Sequence, residues 1–354
     1  MSGVDYSSQL WLRDWSLLVG QKGVNSDSDE WIGRDPSSSS GGGDAVDLSN
    51  LRFTFKVTKN LNINAAELEA HINNVGRPTV QQIAKQYSTV WLSAGYRAPS
   101  TTYGQIFVGQ ITWYERGRET NGVDTYLTIN AMCRDDAINR ARINTVLPAG
   151  HTHRDIIQAC ADAMNVKVGF ITKLIGEQTM SRARALFGMA RDPLRDIHQH
   201  YGATCHVDDS GTLHMLGPNE TVPGDTIVLN SKTGMIGVPA MTLGGGINAR
   251  CLLNPNIVPG ATVKINEADI NQIVASQASR NLTGKDVPTA GKLFDLLHKT
   301  AGISVEGDGI YKVMQLTHQG DNRGNDWYTD MVLQSNNPND PPMPVPAQQP
   351  KLGG

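Results

Sequence analysis

The chain has 354 residues, of which 39% are hydrophobic and 18% charged, with a formal net charge of −3 and a pI near 6.3. That length allows roughly two to four domains with real cores. The slightly acidic balance excludes the overall basic signature of a nucleic-acid-binding protein, and no apolar run approaches the ~20 residues of a membrane helix.

The N-terminus MSGVDYSSQLWLRDW lacks the basic-then-apolar order of a secretory signal, so none is expected. Residues 20–50, with NSDSDEWIGRDPSSSSGGGDAVD, form a Ser-, Gly- and Asp-rich break expected to be a long mobile loop. Its glycine run lacks the GK[ST] ending and the strand-to-helix setting of a phosphate loop. In LRFTFKVTK, Leu51, Phe53, Phe55 and Val57 alternate with Arg52, Thr54, Lys56 and Thr58. Period two predicts a strand with one buried face. TVWLSAGY, QIFVGQITWY and DTYLTINAM follow, separated by turn residues. Short strands at this spacing predict an all-β barrel or sandwich, with Gly109 at a bulge or corner.

Residues 134–200 change to helical spacing. Thr152-His153-Arg154-Asp155 reads as a capping box, with Ile156, Cys160 and Ala163 on one face beside Ile157 and Met164. A second helix is expected with Asp192 as cap, Pro193 in the first turn, Leu194, Ile197 and Tyr201 as its buried stripe, and Gly202 as its stop. ATCHV and TLHML flank Asp208-Asp209-Ser210-Gly211 as a hairpin. DTIVLN, GMIGVPAMTL, NARCLLN and ATVKIN return to strands, and a helix is expected around GKLFDLLHKTAG. GIYKVMQLTHQGDNRGNDWYTDMVLQS closes the pattern with two strands and a polar turn. In it Trp327, Thr329, Met331 and Leu333 share one face. The tail NPNDPPMPVPAQQPKLGG reads as extended and polyproline-like.

No constellation carries chemistry. Cys133, Cys160, Cys205 and Cys251 are scattered without a CxxC and read as free buried thiols of a reducing compartment. His198 and His200 lie about 200° apart around a helix, so they do not share a metal. His151 and His153 chelate only if the backbone there is extended, and Cys205 with His214 makes two ligands where a zinc site needs more. These histidines read as solvated or packing groups. Asp135-Asp136, Asp208-Asp209 and Asp269 stand beside turns or helix starts, where Asp bonds locally. No GxSxG and no nucleophile motif around a cysteine occurs. RARALFGMARDPLR reads first as the solvated face of an amphipathic helix, and second as a surface for an acidic partner or phosphate. Asn281-Leu282-Thr283 is a glycosylation sequon in letters alone. No catalytic residue, cofactor or metal is assigned.

The order of several blocks resembles the baseplate hub proteins of contractile-tailed bacteriophages, the Mu-like myophage hubs above all. The blocks are LRFTFKVTKNLNINAAELEAHINNV, VWLSAGY, GQIFVGQITW and DTYLTINAMCRDDAINRARINTVLPAG, then RDPLRDIHQHYGATCHVDDSGTLHML, LNPNIVPGATVKI and YKVMQLTHQGDNRGNDWYTDMVL. The Ser/Gly loop and the Pro-rich tail fall outside the likeness. The resemblance implies a mainly β fold with α+β insertions: two antiparallel tube-like β-barrel domains plus small helical or mixed domains. The expected division is a first barrel at 1–133 and a helical/mixed domain at 134–224 with its hairpin at 203–216. A second barrel takes 225–265 and 305–335, around a mixed insert at 266–304, and an extended tail takes 336–354.

It also implies a homotrimeric, non-enzymatic adaptor in the virion, assembled in the bacterial cytoplasm. It would join the sixfold tail tube protein to the threefold central spike protein, with tape measure and other baseplate proteins as further partners. DNA would pass through its channel without specific binding. Within that reading the outer face of WYTDMVLQ, with Tyr328, Asp330 and Val332, is the candidate subunit contact. The alternatives are a tail-associated hydrolase, peptidase or lysozyme-like, and a monomeric tube-like binding module.

Overall fold

A computed structural model describes residues 12–20, 45–85, 87–96, 102–120, 122–230, 233–241, 246–265 and 309–335. Most of the 20–50 loop, the helix expected in the 266–304 insert and the 336–354 tail lie outside the described residues. The first part of the chain forms β1 (Arg13–Gly20), β2 (Ala45–Asp47), β3 (Phe53–Asn60), β4 (Glu67–Asn73), α1 (Arg77–Lys85), β5 (Thr89–Tyr96), β6 (Tyr103–Arg118) and β7 (Thr125–Met132). The last part forms β13 (Ile227–Leu229), β14 (Met235–Met241), β15 (Gly246–Leu252), β16 (Thr262–Ile265), β17 (Ile310–Asp321) and β18 (Trp327–Ser335).

These strands join in one 13-stranded sheet. Its main path runs β14-β15-β18-β17-β3-β4-β7-β6-β5-β1-β2, and β13 and β16 attach beside β17. The two β-units meet where β17 pairs antiparallel with β3, Gln315 opposite Asn60 through Asp321 opposite Thr54. The inward residues of β1, β3, β4, β5, β6 and β7 all enter a single core cluster. Strands ~4.8 Å apart bring their inward residues together in this way only if the sheet curls. The second unit buries Val263, Tyr311, Val313, Leu316, Met331 and Leu333 in a core of its own. The fold is therefore mainly β and overwhelmingly antiparallel, with both units on one continuous sheet. One exception is the parallel pairing of Ile227–Leu229 with Val263–Ile265, which the expectation of a purely antiparallel second unit did not contain.

Local chemistry explains what the sequence concealed. Strand β4 is not among the strands expected from the sequence, because Glu67, Glu69 and His71 interrupt it. They alternate with buried Leu68, Ala70 and Ile72, and its two neighbours β3 and β7 supply the pairing. Strand β6 serves two partners, β5 up to Gln110 and β7 from Gln110 onward, with a register shift in each ladder. Gly109 sits at that changeover. A Cβ built there would lie 2.6 Å from the Met132 carbonyl oxygen and from the Phe107 ring, so the corner requires glycine. Gly109→Ala is expected to cost about 1–3 kcal/mol by overpacking, read as a lower urea midpoint.

Between the β-units lie a single π-helical turn (Asp136–Arg140), β8 (Arg142–Leu147), α2 (His153–Met164), β9 (Lys167–Ile171), β10 (Arg184–Met189), α3 (Arg191–Tyr201), β11 (Thr204–Val207) and β12 (Thr212–Leu216). The helical spacing read over 134–200 is interrupted by the strands β8, β9 and β10. Within RARALFGM, Arg184–Met189 is a strand and only the continuation from Arg191 is helical, because Leu186 packs inward opposite Thr145 while Phe187 faces out. The capping box is present, with Thr152 Oγ1 accepting from the Asp155 amide at 3.3 Å and Asp155 accepting from the Thr152 amide at 2.7 Å. Asp192 is not the cap of α3. Ala190 stands at that position with no side-chain cap bond, and Asp192 lies inside the first turn. Gly202 does end α3, at φ 59°.

The mixed unit is fastened to the sheet by two buried lysines. Lys59 of β3 pairs with Asp209 in the β11–β12 turn. Lys312 of β17 is 1% exposed and donates to the carbonyls of Gly217 at 3.1 Å and Pro218 at 2.8 Å. Burial pushes the Lys312 ammonium down to about 8.

Candidate assembly surfaces

Strand β18 alternates as its sequence predicts. Trp327, Thr329, Met331 and Leu333 are buried, and Tyr328, Asp330 and Val332 are half-buried on the opposite face. β18 is not a sheet edge, however. β15 pairs on one side and β17 on the other, and the path ends instead at β14 and β2. Any contact through Tyr328, Asp330 and Val332 is made by side chains and not by strand addition. Among the described residues, β14 and β2 are the edges that need covering. β14 presents Ile236 and Val238, the latter 56% exposed.

Arg250 of β15 organises the β18 face. It donates to Asp330 from Nε at 2.6 Å and from Nη2 at 3.0 Å, and its guanidinium lies 4.1 Å from the centre of the Tyr328 ring. The Asp330 hydrogen bond, opposed by desolvation, leaves the Arg250 pKa raised. Sequence reading missed Arg250 because only the register, Arg250 opposite Asp330 and Leu252 opposite Tyr328, brings it there. The same outward face continues through Gln315, Thr317 and Gln319 to Lys56 and then Glu67, Glu69 and His71. Its cations Lys56 and Arg250 face the carboxylates Glu67, Glu69 and Asp330, so it has no cationic excess. A second exposed surface is the far half of β6, which among the described residues pairs on one side only, with β7, and where Trp113 is 52% exposed.

The histidines fall into different groups from those the sequence suggested. Cys205 pairs with Met215, not His214; the cross-strand partner of His214 is His206. The two imidazoles stack at 5.3 Å, and His214 Nε2 lies 3.5 Å from Asp208. His153 of α2 meets α3, its Nδ1 2.8 Å from the Tyr201 hydroxyl and its ring 6.0 Å from that of His200. His198 reaches the Ala203 carbonyl at 3.1 Å, and His151 the Pro148 carbonyl at 2.8 Å. Among the described residues, no group of three or more His, Cys, Asp or Glu is arranged to hold a metal ion. The four cysteines are buried and free. Among the described residues, no helix is long and apolar enough to cross a membrane.

A model of the family described as "Baseplate hub gp41" matches residues 66–277, more than half of the chain. The chain belongs to that family. The hub assignment makes it a structural component of a phage tail baseplate. No curated protein matches it in sequence. Among solved structures it is similar to the 43 kDa tail protein of prophage MuSo2 from Shewanella oneidensis, with 8% identity, 91% of this chain and 98% of that one covered, and a TM-score of 0.50. It is likewise similar to the tail protein of Neisseria meningitidis MC58, with 10% identity, coverage of 92% and 97%, and a TM-score of 0.50. A chain of the half-lidded Francisella PdpA–VgrG complex matches at 6% identity, with 95% of the hub and 60% of that chain covered, and a TM-score of 0.50. At these identities the likeness concerns the fold.

Proposed function

We propose that this hub works as a homotrimeric ring in a contractile tail. Two β-units per chain give six similar units, which meet the sixfold tail tube protein on one face, while a threefold face receives the central spike protein. The observation that supports this reading is a continuous sheet carrying two separate apolar cores in a chain of the baseplate hub family. A head-to-tail contact closes into a ring when its rotation fits, and a doubled unit turns threefold into pseudo-sixfold symmetry. Tape measure and other baseplate proteins are further neighbours, and assembly takes place in the host cytoplasm.

The ring leaves a channel through which DNA passes without specific binding. A chain of net charge −3, with no cationic excess on the β18 face, offers phosphate little attraction. The role requires no catalysis. Domain divisions at 133/134 and 224/225, with the second barrel interrupted at 266–304, belong to the same proposal.

Tyr328, Asp330 and Val332 contribute side chains to a subunit contact in this reading. Val332→Asp is expected to weaken ring assembly while leaving the thermal midpoint unchanged, because Val332 points away from the core. An intact ring in that variant would move the contact to the sheet ends at β14 and β2. Native mass spectrometry of the hub with its spike tests the reading as a whole. Three copies per spike are expected, and a persistent monomer contradicts it.

A further inference from the structure

The mixed unit carries an exposed apolar surface. β8 and β10 form a separate two-stranded antiparallel sheet, with Phe187 opposite Asn144 and Ala185 opposite Val146. Its inner face buries Ile143 and Leu186 in the core with α2 and α3. Its outer face leaves Phe187 86% and Val146 68% exposed. Among the described residues no strand pairs with the outer edge of β8 or of β10. Two main-chain edges therefore stand open beside an apolar stripe. Neither strand carries the proline or lysine that usually guards such an edge.

Charge narrows the partner. Segments 140–147 (RARINTVL) and 181–189 (SRARALFGM) contain the four arginines Arg140, Arg142, Arg182 and Arg184 and no Asp or Glu. Arg140 and Arg184 face Asp135 and Asp196, whereas Arg142 and Arg182 are exposed and have no ion-pair partner among the described residues. The patch is apolar at its centre and cationic at its rim. Two copies of this patch would repel one another face to face. Open strand edges with valine and alanine beside the phenylalanine suit a polypeptide better than a nucleic acid, because main-chain groups bind an added strand and alternate side chains find the stripe.

We infer that the outer side of the β8–β10 sheet docks an extended segment of another baseplate protein, which adds as a strand, lays apolar side chains over Phe187 and Val146, and sets carboxylates against Arg142 and Arg182. The inference does not depend on the trimer, only on membership of a baseplate assembly.

The test uses assembled particles in which Phe187 is replaced by the photo-cross-linking amino acid p-benzoylphenylalanine. After irradiation, mass spectrometry should find the cross-link on a protein other than the hub, within a few residues of Asp or Glu. A cross-link to a second hub copy, a cross-link to DNA, or no cross-link at all overturns the inference. Phe187→Asp and Arg142→Glu supply the second readout. Both side chains are exposed, so the thermal midpoint of the purified hub should hold, while the cross-linked partner falls about tenfold in the particles, as expected when an interface anchor is lost. Arg142→Lys should retain the partner. Full partner occupancy in Phe187→Asp particles also overturns the inference.

Discussion

Trp327→Ala should lower stability by ~3–5 kcal/mol, the cost of deleting a large aromatic side chain from a packed core. Trp327 begins β18 of the second β-unit, yet its ring lies in the core of the first. It makes edge contacts with Phe55 at 5.5 Å and Trp15 at 5.9 Å, and its Nε1 donates to the Gly95 carbonyl at 3.3 Å. Arg13 locks the neighbouring turn by donating to the Gly324 carbonyl at 2.6 Å and the Asn325 carbonyl at 3.0 Å. One ring therefore ties β1, β3 and β5 to β18. Urea unfolding of the purified hub should show the loss as a lower midpoint, with Trp327→Phe recovering part of it. An unchanged midpoint in the alanine variant would mean that the two units are not joined through this residue.

Acid should destabilise the hub through two buried histidines. His318 is fully buried, with Nδ1 2.8 Å from the Thr329 hydroxyl and, among the described residues, no partner at Nε2. Burial pushes its imidazole down to about 3. His206, 4% exposed, has no partner at Nδ1 among the described residues; burial, helped by His214, pushes it down to about 4. In the unfolded chain both titrate near ~6.5. Between pH 6.5 and 4 the unfolded state therefore binds protons that the folded state refuses, and stability rises with pH across that window. Acidification from pH 7 to pH 4 should cost on the order of 3 kcal/mol for each histidine. Asp208 acts lower. Burial opposes its ionisation, but hydrogen bonds from His214, Ser210 and the Thr212 amide hold its carboxyl at about 2. Its contribution is lost only as pH falls below ~3.8 toward that value. Thermal midpoints measured from pH 7 to pH 4 should fall steeply, and His206→Phe with His318→Leu should flatten the slope. A wild-type midpoint independent of pH over that window would contradict the account.

The parts of this fold that the sequence discloses are those where one residue type does one job. Phe53, Phe55 and Val57 alternate plainly, Asp208 through Gly211 mark their turn, Thr152 and Asp155 mark a helix start, and Gly202 marks a stop. What stays hidden depends on partners distant in sequence. β4 looks polar until β3 and β7 flank it. RARALFGM carries helix formers, yet pairing with β8 and the burial of Leu186 make Arg184–Met189 a strand. The joining of the two β-units rests on Gln315–Asp321 lying against Thr54–Asn60, roughly 260 residues apart in the chain, which no local pattern reports. At the candidate contact, the outward direction of Tyr328, Asp330 and Val332 follows from period two, but Arg250 beside them and the interior place of β18 follow only from the pairing of β15. The order of blocks along the chain, more than any motif, is what pointed to a baseplate hub.

The central claim is that one chain supplies two of the six units facing the tail tube. A cryo-EM reconstruction of the particle, processed without imposed symmetry, tests it most directly. The account predicts three copies of the chain at the tube–spike junction, related by a threefold axis, with their six β-units in a pseudo-sixfold ring. One copy, or six, at that junction would contradict it.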